Sequence, residues 1–181
     1  MSNQAVSTVV SLVDGGEVSF QEYFVKLRHD VPVAAVRFEG ASAAELTPGL
    51  DEVLTSAASV VIAPSNPIVS IGPIRAIDGV DEILARRRSS VVAISPIVGG
   101  AALKGPADRM LRELGHEPSV VGVARLYASI AGTLVIDPAD EHLADAIEAE
   151  GVRAVITPSV MSSPEIGAEL ARVSLLAASA Q

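Results

Sequence analysis

The residues best suited to chemistry lie in a proline-bounded stretch that runs from Pro64 to Pro73. It follows the apolar run from Val60 to Ala63 and precedes a helical pattern. Pro64 and Pro67 favour extended or turn geometry, because the residue before a proline is pushed out of the helical region. Ser70 suits a helix N-cap, and the free amides of a helix start attract anions. The stretch therefore predicts a phosphate-sized loop between a strand and a helix.

A second stretch repeats this arrangement further along the chain. The apolar run from Val91 to Ile94 leads into a turn sequence with adjacent glycines, Gly99 and Gly100, and a helix opens beyond Lys104. Lysine is scarce here, since only Lys26 and Lys104 occur. A long cationic side chain beside flexible backbone is a reasonable phosphate ligand. Two loops of one type predict one shared site.

The two loops together nominate one set of nucleotide-binding residues: Ser65, Asn66, Ser70, Ile71, Gly72, Gly99, Gly100, Lys104 and Gly105. Other interpretations stay open, because serine and asparagine between prolines also form structural turns and a lysine at a helix start is commonly a surface residue. The glycines are not a P-loop, whose lysine is followed by Ser or Thr rather than by Gly-Pro. The three histidines are isolated, so the sequence nominates no metal ligand and no catalytic residue.

Helices and strands must bring these loops together. From residue 43 to residue 181, apolar runs alternate with helical patterns, and strands are predicted at 59–63, 91–94, 133–136 and 152–157. This alternation predicts a three-layer, Rossmann-like α/β half-domain with a mostly parallel sheet. Ligands of such sheets bind outside the carboxyl ends of the strands, so both loops are expected at one edge. The loops at Asp137-Pro138 and at 157–164 are expected there too, with a capping box at Ser162 and Glu165.

Residues 1–42 are predicted to form a separate small strand-helix-strand segment. Strands are indicated at 6–13 and 33–38 by their Val-rich composition. Between them, Ser19 and Glu22 have capping-box spacing, and Phe20, Phe24 and Leu27 recur at helical intervals.

The composition excludes several classes of function. A net charge of -9 and a pI near 4.7 argue against nucleic acid and anionic membrane as partners. The absence of cysteine excludes disulfides and thiolate chemistry. Hydrophobic residues make up 49% of the chain but aromatic ones only 3%, so aliphatic side chains must fill the core. A cytoplasmic location is expected, because neither a basic leader nor a membrane-length apolar run is present in the sequence.

Several long motifs resemble the 2-phospho-L-lactate transferase family of coenzyme F-420 biosynthesis over nearly the whole chain. They are PSNPIVSIGPI at 64–74, SPIVGGAALKGPADRML at 95–111, GHEPS at 115–119 and GVARLY at 122–127, with VSFQEYFVKLR at 18–28 and VRFEGA at 36–41 upstream. The resemblance favours the ligand role of Ser65 and Asn66 over the structural turn. Family members are usually longer and begin with a glycine-rich strand-turn-helix, so the chain looks like the C-terminal half only.

The resemblance implies a reaction and its partners. A phospholactyl or phosphoenolpyruvyl group moves from a guanosine diphosphate conjugate to the deazaflavin Fo, and GMP leaves. Magnesium is expected, with its carboxylate ligands and much of the Fo pocket in the other half, so this chain would supply the GDP side. The alternative is a noncatalytic nucleotide or nucleotide-sugar binding module related to the gluconeogenesis-factor branch. A half-fold should leave apolar surface, which predicts a homodimer, a higher oligomer or pairing with the missing half.

Overall fold

A four-stranded parallel sheet forms the centre of the molecule. The computed structural model describes residues 2–103 and 105–179. The strands are β4 (Val60–Ile62), β5 (Val91–Ile94), β8 (Thr133–Ile136) and β9 (Arg153–Ile156), in the spatial order β4-β5-β8-β9. Every neighbouring pair is parallel. All four predicted strands are therefore confirmed, and their carboxyl ends lie along one edge of the sheet.

Helices cover both faces of this sheet. Val91 and Ala93 point into the larger core, which includes residues of α3 (Val80–Arg86), α5 (Val120–Tyr127) and α6 (Ala144–Ala149). Val92 and Ile94 point the other way, against α7 (Pro164–Ser179). Right-handed crossovers between strands in consecutive order place their helices on one face, which leaves the other to α7. The predicted three-layer α/β fold is confirmed.

The N-terminal segment folds as a three-stranded antiparallel sheet in the order β2-β1-β3. Its strands are β1 (Ser7–Leu12), β2 (Glu17–Ser19) and β3 (Val33–Glu39), with a π-helical turn at Glu22–Lys26. The prediction of strand, helix and strand missed β2, because three residues are too few to show alternation. The Ser19 hydroxyl accepts a hydrogen bond from the Glu22 amide at 3.1 Å, which is half of the predicted capping box.

This sheet shares a hydrophobic core with the α/β part. Tyr23 and Val33 pack in one cluster with Val69 and Met110, which follow β4 and β5 in the chain. The predicted boundary near residue 42 is thus crossed by packing contacts, and the division at 1–42 and 43–181 stays a prediction.

The remaining helices and strands are short. They are α1 (Leu50–Ser56), α2 (Gly72–Arg75), α4 (Ala107–Glu113), a hairpin of β6 (Ile97–Val98) and β7 (Ala101–Ala102), a π-helical turn at Pro67–Ile71 and 3-10 turns at Ala41–Ala43, Arg88–Ser90 and Pro138–Leu143.

Two predicted helix caps were placed on the wrong residue. Asn66 caps the turn after β4, and its side-chain oxygen accepts from the amides of Ile68 and Val69. Ser70 lies inside that turn instead of at its start. At α7 the hydroxyl of Ser163 accepts a hydrogen bond from the Ile166 amide at 3.4 Å, so the cap falls one residue after Ser162. Asparagine is as good an N-cap as serine, and Pro67 suits the first position of a turn because it has no amide to satisfy, so the turn begins at Asn66.

Candidate functional site

A cavity of about 780 Å³ opens at the carboxyl ends of β4, β5 and β9. One part of its wall carries hydroxyl and amide side chains, contributed by Ser65, Asn66, Ser70, Ser95, Ser159 and Ser162. Apolar side chains share the wall, with Phe20 and Phe24 from the N-terminal segment and Leu103, Val160 and Met161 from the loops. The volume lies within the range of small-molecule sites, and the wall combines apolar surface with a few polar groups.

The polar side chains differ in how far they are already engaged. The side-chain oxygen of Asn66 caps the turn after β4, and Ser95 exchanges hydrogen bonds with the backbone of Ile97 at 3.0 and 3.1 Å. The hydroxyls of Ser65 and Ser70 make no hydrogen bond within residues 2–103 and 105–179. The Ser162 hydroxyl is also free within the described residues, so Ser65 and Ser70 are two of the three lining hydroxyls that can bind a ligand.

Two aspartates after β8 position the loops around the cavity. The Asp137 carboxylate accepts from the Ser159 amide at 2.9 Å, which ties down the loop after β9. Asp140 is 2% exposed, and its carboxylate accepts from the Gly99 amide at 2.8 Å. The first bond satisfies the amide of the buried Ser159, and the second leaves the Gly99 amide already paired with a carboxylate.

The adjacent glycines form the turn of the β6-β7 hairpin. Gly99 has φ 60° and Gly100 has φ 78°, and two central residues with positive φ are typical of a type I′ hairpin turn. Glycine is needed here for backbone conformation. The pattern that predicted a phosphate loop is thus explained by a tight turn.

The structure brings together four of the nine nominated residues. Ser65, Asn66, Ser70 and Gly105 line the cavity, whereas Ile71, Gly72, Gly99 and Gly100 are not part of its wall. Lys104 lies outside the described residues.

Gly72 has a packing role instead. A Cβ built on it would lie 2.7 Å from Cζ of Phe38, so the missing side chain lets β3 pack against α2.

Sequence reasoning missed the aromatic part of the wall. Phe20 and Phe24 indicate only helical spacing in the sequence, whereas in the structure Phe24 is 41% exposed and both rings line the cavity. Two of only three phenylalanines fall within five positions in an aromatic-poor chain. That concentration was the available signal.

A pair of charged residues on α4 fixes the N-terminal segment beside the cavity. Arg109 donates from Nη2 to the Val31 carbonyl at 2.7 Å and to the Tyr23 hydroxyl at 3.1 Å. Its Nε lies 2.8 Å from Oε1 of Glu113, whose other oxygen accepts from the Val33 amide at 2.9 Å. Burial raises the pKa of Tyr23, and the Arg109 charge partly opposes this rise. We call these two residues, Arg109 and Glu113, the α4 clamp.

The cavity wall is uncharged where it is described. None of the lining residues in that part of the chain has an ionisable side chain. The described residues contain no group of three or more His, Asp or Glu side chains that could hold a metal ion, and the described cavity wall offers no carboxylate to magnesium. No described helix is long and apolar enough to span a membrane.

Comparison with known proteins identifies the family. The family model of 2-phospho-L-lactate transferase CofD matches residues 1–159. The chain belongs to the CofD family. It is 41% identical over 180 residues to a phosphoenolpyruvate transferase of Kitasatospora aureofaciens, and this match covers 97% of the chain and 56% of that relative. The phosphoenolpyruvate transferase of Streptomyces griseus is 39% identical over 179 residues, with the same coverage of both chains.

A further relative carries the other enzyme name of the family. A 2-phospho-L-lactate transferase of Methanococcoides burtonii is 39% identical over 173 residues, which are 95% of this chain and 55% of that protein. The present CofD-family chain thus spans about half the length of the relatives that it matches. A crystal structure of protein BH3568 from Bacillus halodurans has the same fold, with a TM-score of 0.64, 14% identity and coverage of 96% of this chain and 60% of that one.

Proposed function

We propose that this chain provides the nucleotide-binding part of a transferase of coenzyme F-420 biosynthesis. In the proposed reaction, the Fo hydroxyl oxygen forms a bond to the phosphorus that carries the lactyl or enolpyruvyl group. The bond from that phosphorus to the bridging oxygen breaks, GMP leaves with the electron pair, and the hydroxyl proton passes to solvent. The support is membership of the CofD family together with relatives that are named phosphoenolpyruvate transferase and 2-phospho-L-lactate transferase.

One structural observation carries the proposal. The free hydroxyls of Ser65 and Ser70 face a cavity at the carboxyl ends of parallel strands, where α/β folds bind their ligands. Phosphoryl transfer depends mainly on positioning and on stabilising charge, so a protein segment can contribute by holding the diphosphate. Neutral hydroxyl donors suit that role, and they leave charge neutralisation to groups beyond the described wall.

The proposal is tested by titrating GDP into the 181-residue chain by calorimetry, with and without magnesium chloride. Ser65→Ala and Ser70→Ala are each expected to weaken GDP binding by about 1 kcal/mol, or about fivefold, since each removes one hydrogen bond. The matched control is Ser56→Ala, on the exposed end of α1 and at the opposite end of β4 from the cavity. An equal effect of all three substitutions would remove the assigned role.

The lysine nominated from the sequence is tested in the same titration. Lys104→Ala is expected to weaken GDP binding by roughly 1 to 3 kcal/mol, the range for a charge-assisted hydrogen bond. Lys26→Ala is the control, because Lys26 is exposed and paired with Glu22 at 2.6 Å. If both lysine variants bind GDP equally well, Lys104 is not a diphosphate ligand.

A binding role without catalysis is the second candidate. It is favoured by the absence of an ionisable side chain from the described cavity wall, since a general acid or base needs one. We expect the chain alone to bind GDP and to turn over Fo poorly or not at all. Full transfer activity of the purified chain would place the catalytic groups here and contradict this expectation.

A further inference from the structure

Four of the apolar side chains that line the cavity are exposed to solvent. Phe24 is 41% exposed, Leu103 56%, Val160 37% and Met161 58%. All four line the cavity, together with Phe20. Exposed apolar groups scattered over a surface need no explanation, but a contiguous set around a concave site marks a binding surface. We call this surface, formed by Phe20, Phe24, Leu103, Val160 and Met161, the apolar rim.

The aromatic rings of the apolar rim are held in a defined arrangement. Phe24 lies 5.6 Å from Phe20 and 5.1 Å from the ring of His29, measured between ring centroids, with tilted planes. Both spacings fall in the range of favourable aromatic pairs. On another side, a Cβ built on Gly105 would lie 3.8 Å from Phe24 Cε2, so the ring rests close to the backbone of the loop before α4.

Contacts with α4 hold in place the N-terminal segment that carries these rings. Tyr23, next to Phe24 in the chain, is fully buried and receives a hydrogen bond from Arg109 of the α4 clamp. α4 begins at the cavity with Ala107 and carries the clamp further along. One helix therefore positions both the loop at the cavity and the aromatic rings, and a surface that is already ordered costs little to use in binding.

The two kinds of side chain in the wall suit a ligand with two chemically different ends. Hydroxyl and amide groups line the cavity together with apolar and aromatic groups, and the described wall has no ionisable side chain. Aromatic side chains bind flat rings by stacking, which tolerates many ring types because each has a π face. A ligand with a phosphate at one end and a flat, uncharged heteroaromatic ring at the other matches this division.

We propose that Phe24 is the stacking surface for a flat heteroaromatic ring of the ligand. The inference rests on the proposed function, because the ring belongs to a substrate of the same site. Guanine of the nucleotide and the deazaflavin of Fo are both flat heteroaromatic rings. Whichever of the two stacks on Phe24, the ring is recognised by the N-terminal segment. The sequence motifs around the loops do not indicate this role.

The test compares three probes by calorimetry on the intact chain: GDP, Fo and inorganic pyrophosphate. Phe24→Leu keeps apolar volume but removes the ring, and Phe24→Tyr keeps the ring. The matched control is Val25→Ala, since Val25 is 62% exposed in the same turn and is not part of the cavity wall. Thermal unfolding of each variant confirms that it is folded.

We expect Phe24→Leu to weaken binding of one ring-bearing probe by about 5- to 10-fold. Pyrophosphate affinity should stay within about twofold, and Phe24→Tyr and Val25→Ala should bind the ring-bearing probe as the unmodified chain does. An effect on GDP identifies guanine as the stacked ring, and an effect on Fo identifies the deazaflavin.

Several outcomes would overturn the inference. They are an unchanged affinity of Phe24→Leu for both ring-bearing probes, an equal loss for pyrophosphate, an equal loss in Phe24→Tyr, and no binding of either ring-bearing probe to the unmodified chain. Failure of the proposed function looks different. In that case GDP does not bind or does not respond to Ser65→Ala and Ser70→Ala, while Fo binding still depends on Phe24.

Discussion

We expect the α4 clamp to contribute strongly to the stability of the protein, because it joins the N-terminal segment to α4. Arg109→Ala removes two hydrogen bonds, to Val31 at 2.7 Å and to Tyr23 at 3.1 Å, and an ion pair with Glu113 at 2.8 Å. The two side chains are 29% and 19% exposed, so solvent screens the ion pair only in part. At about 1 kcal/mol for each of the three interactions, the expected loss in the free energy of unfolding is about 3 kcal/mol.

The measurement is urea unfolding followed by far-ultraviolet circular dichroism. Arg112→Ala is the matched control, because Arg112 is an exposed arginine on the same helix and should change the free energy of unfolding by less than about 0.5 kcal/mol. Arg109→Lys should recover about half of the loss, since an ammonium group cannot reproduce the forked geometry of guanidinium.

This reasoning also predicts a loss of ligand binding. Without the clamp, Tyr23 and the neighbouring Phe24 are less ordered, so the affinity for the ring-bearing probe should fall while pyrophosphate affinity is kept. Equal destabilisation by Arg109→Ala and Arg112→Ala would refute the clamp, because the exposed residue lacks the buried contacts.

Two further predictions concern the glycine turn and the exposed apolar surface. Asp140→Asn should lower the free energy of unfolding by about 1 to 2 kcal/mol, because a buried carboxylate loses its charge beside the Gly99 amide. Asp145→Asn, at an exposed position of α6, is the control, and equal shifts in thermal unfolding would contradict this role. We also expect self-association at micromolar concentration, because Val61 is 39% and Leu176 56% exposed. A monomeric mass by light scattering would count against it.

The central strands β5 and β8 were predictable because they are short runs of almost entirely apolar residues. Val91–Ile94 and Thr133–Ile136 are buried at every position, and buried parallel strands carry this signal in the sequence itself. β2 carries no such signal, since its three residues are exposed or half-buried. Its pairing with β1 is decided by tertiary contacts, which local patterns do not encode.

The candidate site was predictable at the level of loops but not of side chains. Parallel strands bring the turns after β4, β5 and β9 to one edge, so Ser65 and Ser70 both lie at the cavity, and their role in nucleotide binding stays a prediction. Whether a polar side chain faces a ligand or caps its own backbone is a question of rotamer, as Asn66 shows. The helical spacing of Phe20 and Phe24 predicted a shared face without showing that this face borders a cavity.

Backbone strain lies beside the apolar rim. Arg28 has φ 51° and His29 has φ 46°, two successive non-glycine residues in the left-handed region. Such residues cost on the order of 1 kcal/mol each and persist where surrounding contacts hold them. Here the Tyr23 hydroxyl donates to the His29 carbonyl at 3.4 Å, and the His29 ring packs against Phe24. His29 is thus held by Tyr23 on one side and packs against Phe24 on the other. Tyr23 in turn accepts a hydrogen bond from Arg109. Loss of the α4 clamp should therefore disturb both the strained backbone and the position of the Phe24 ring.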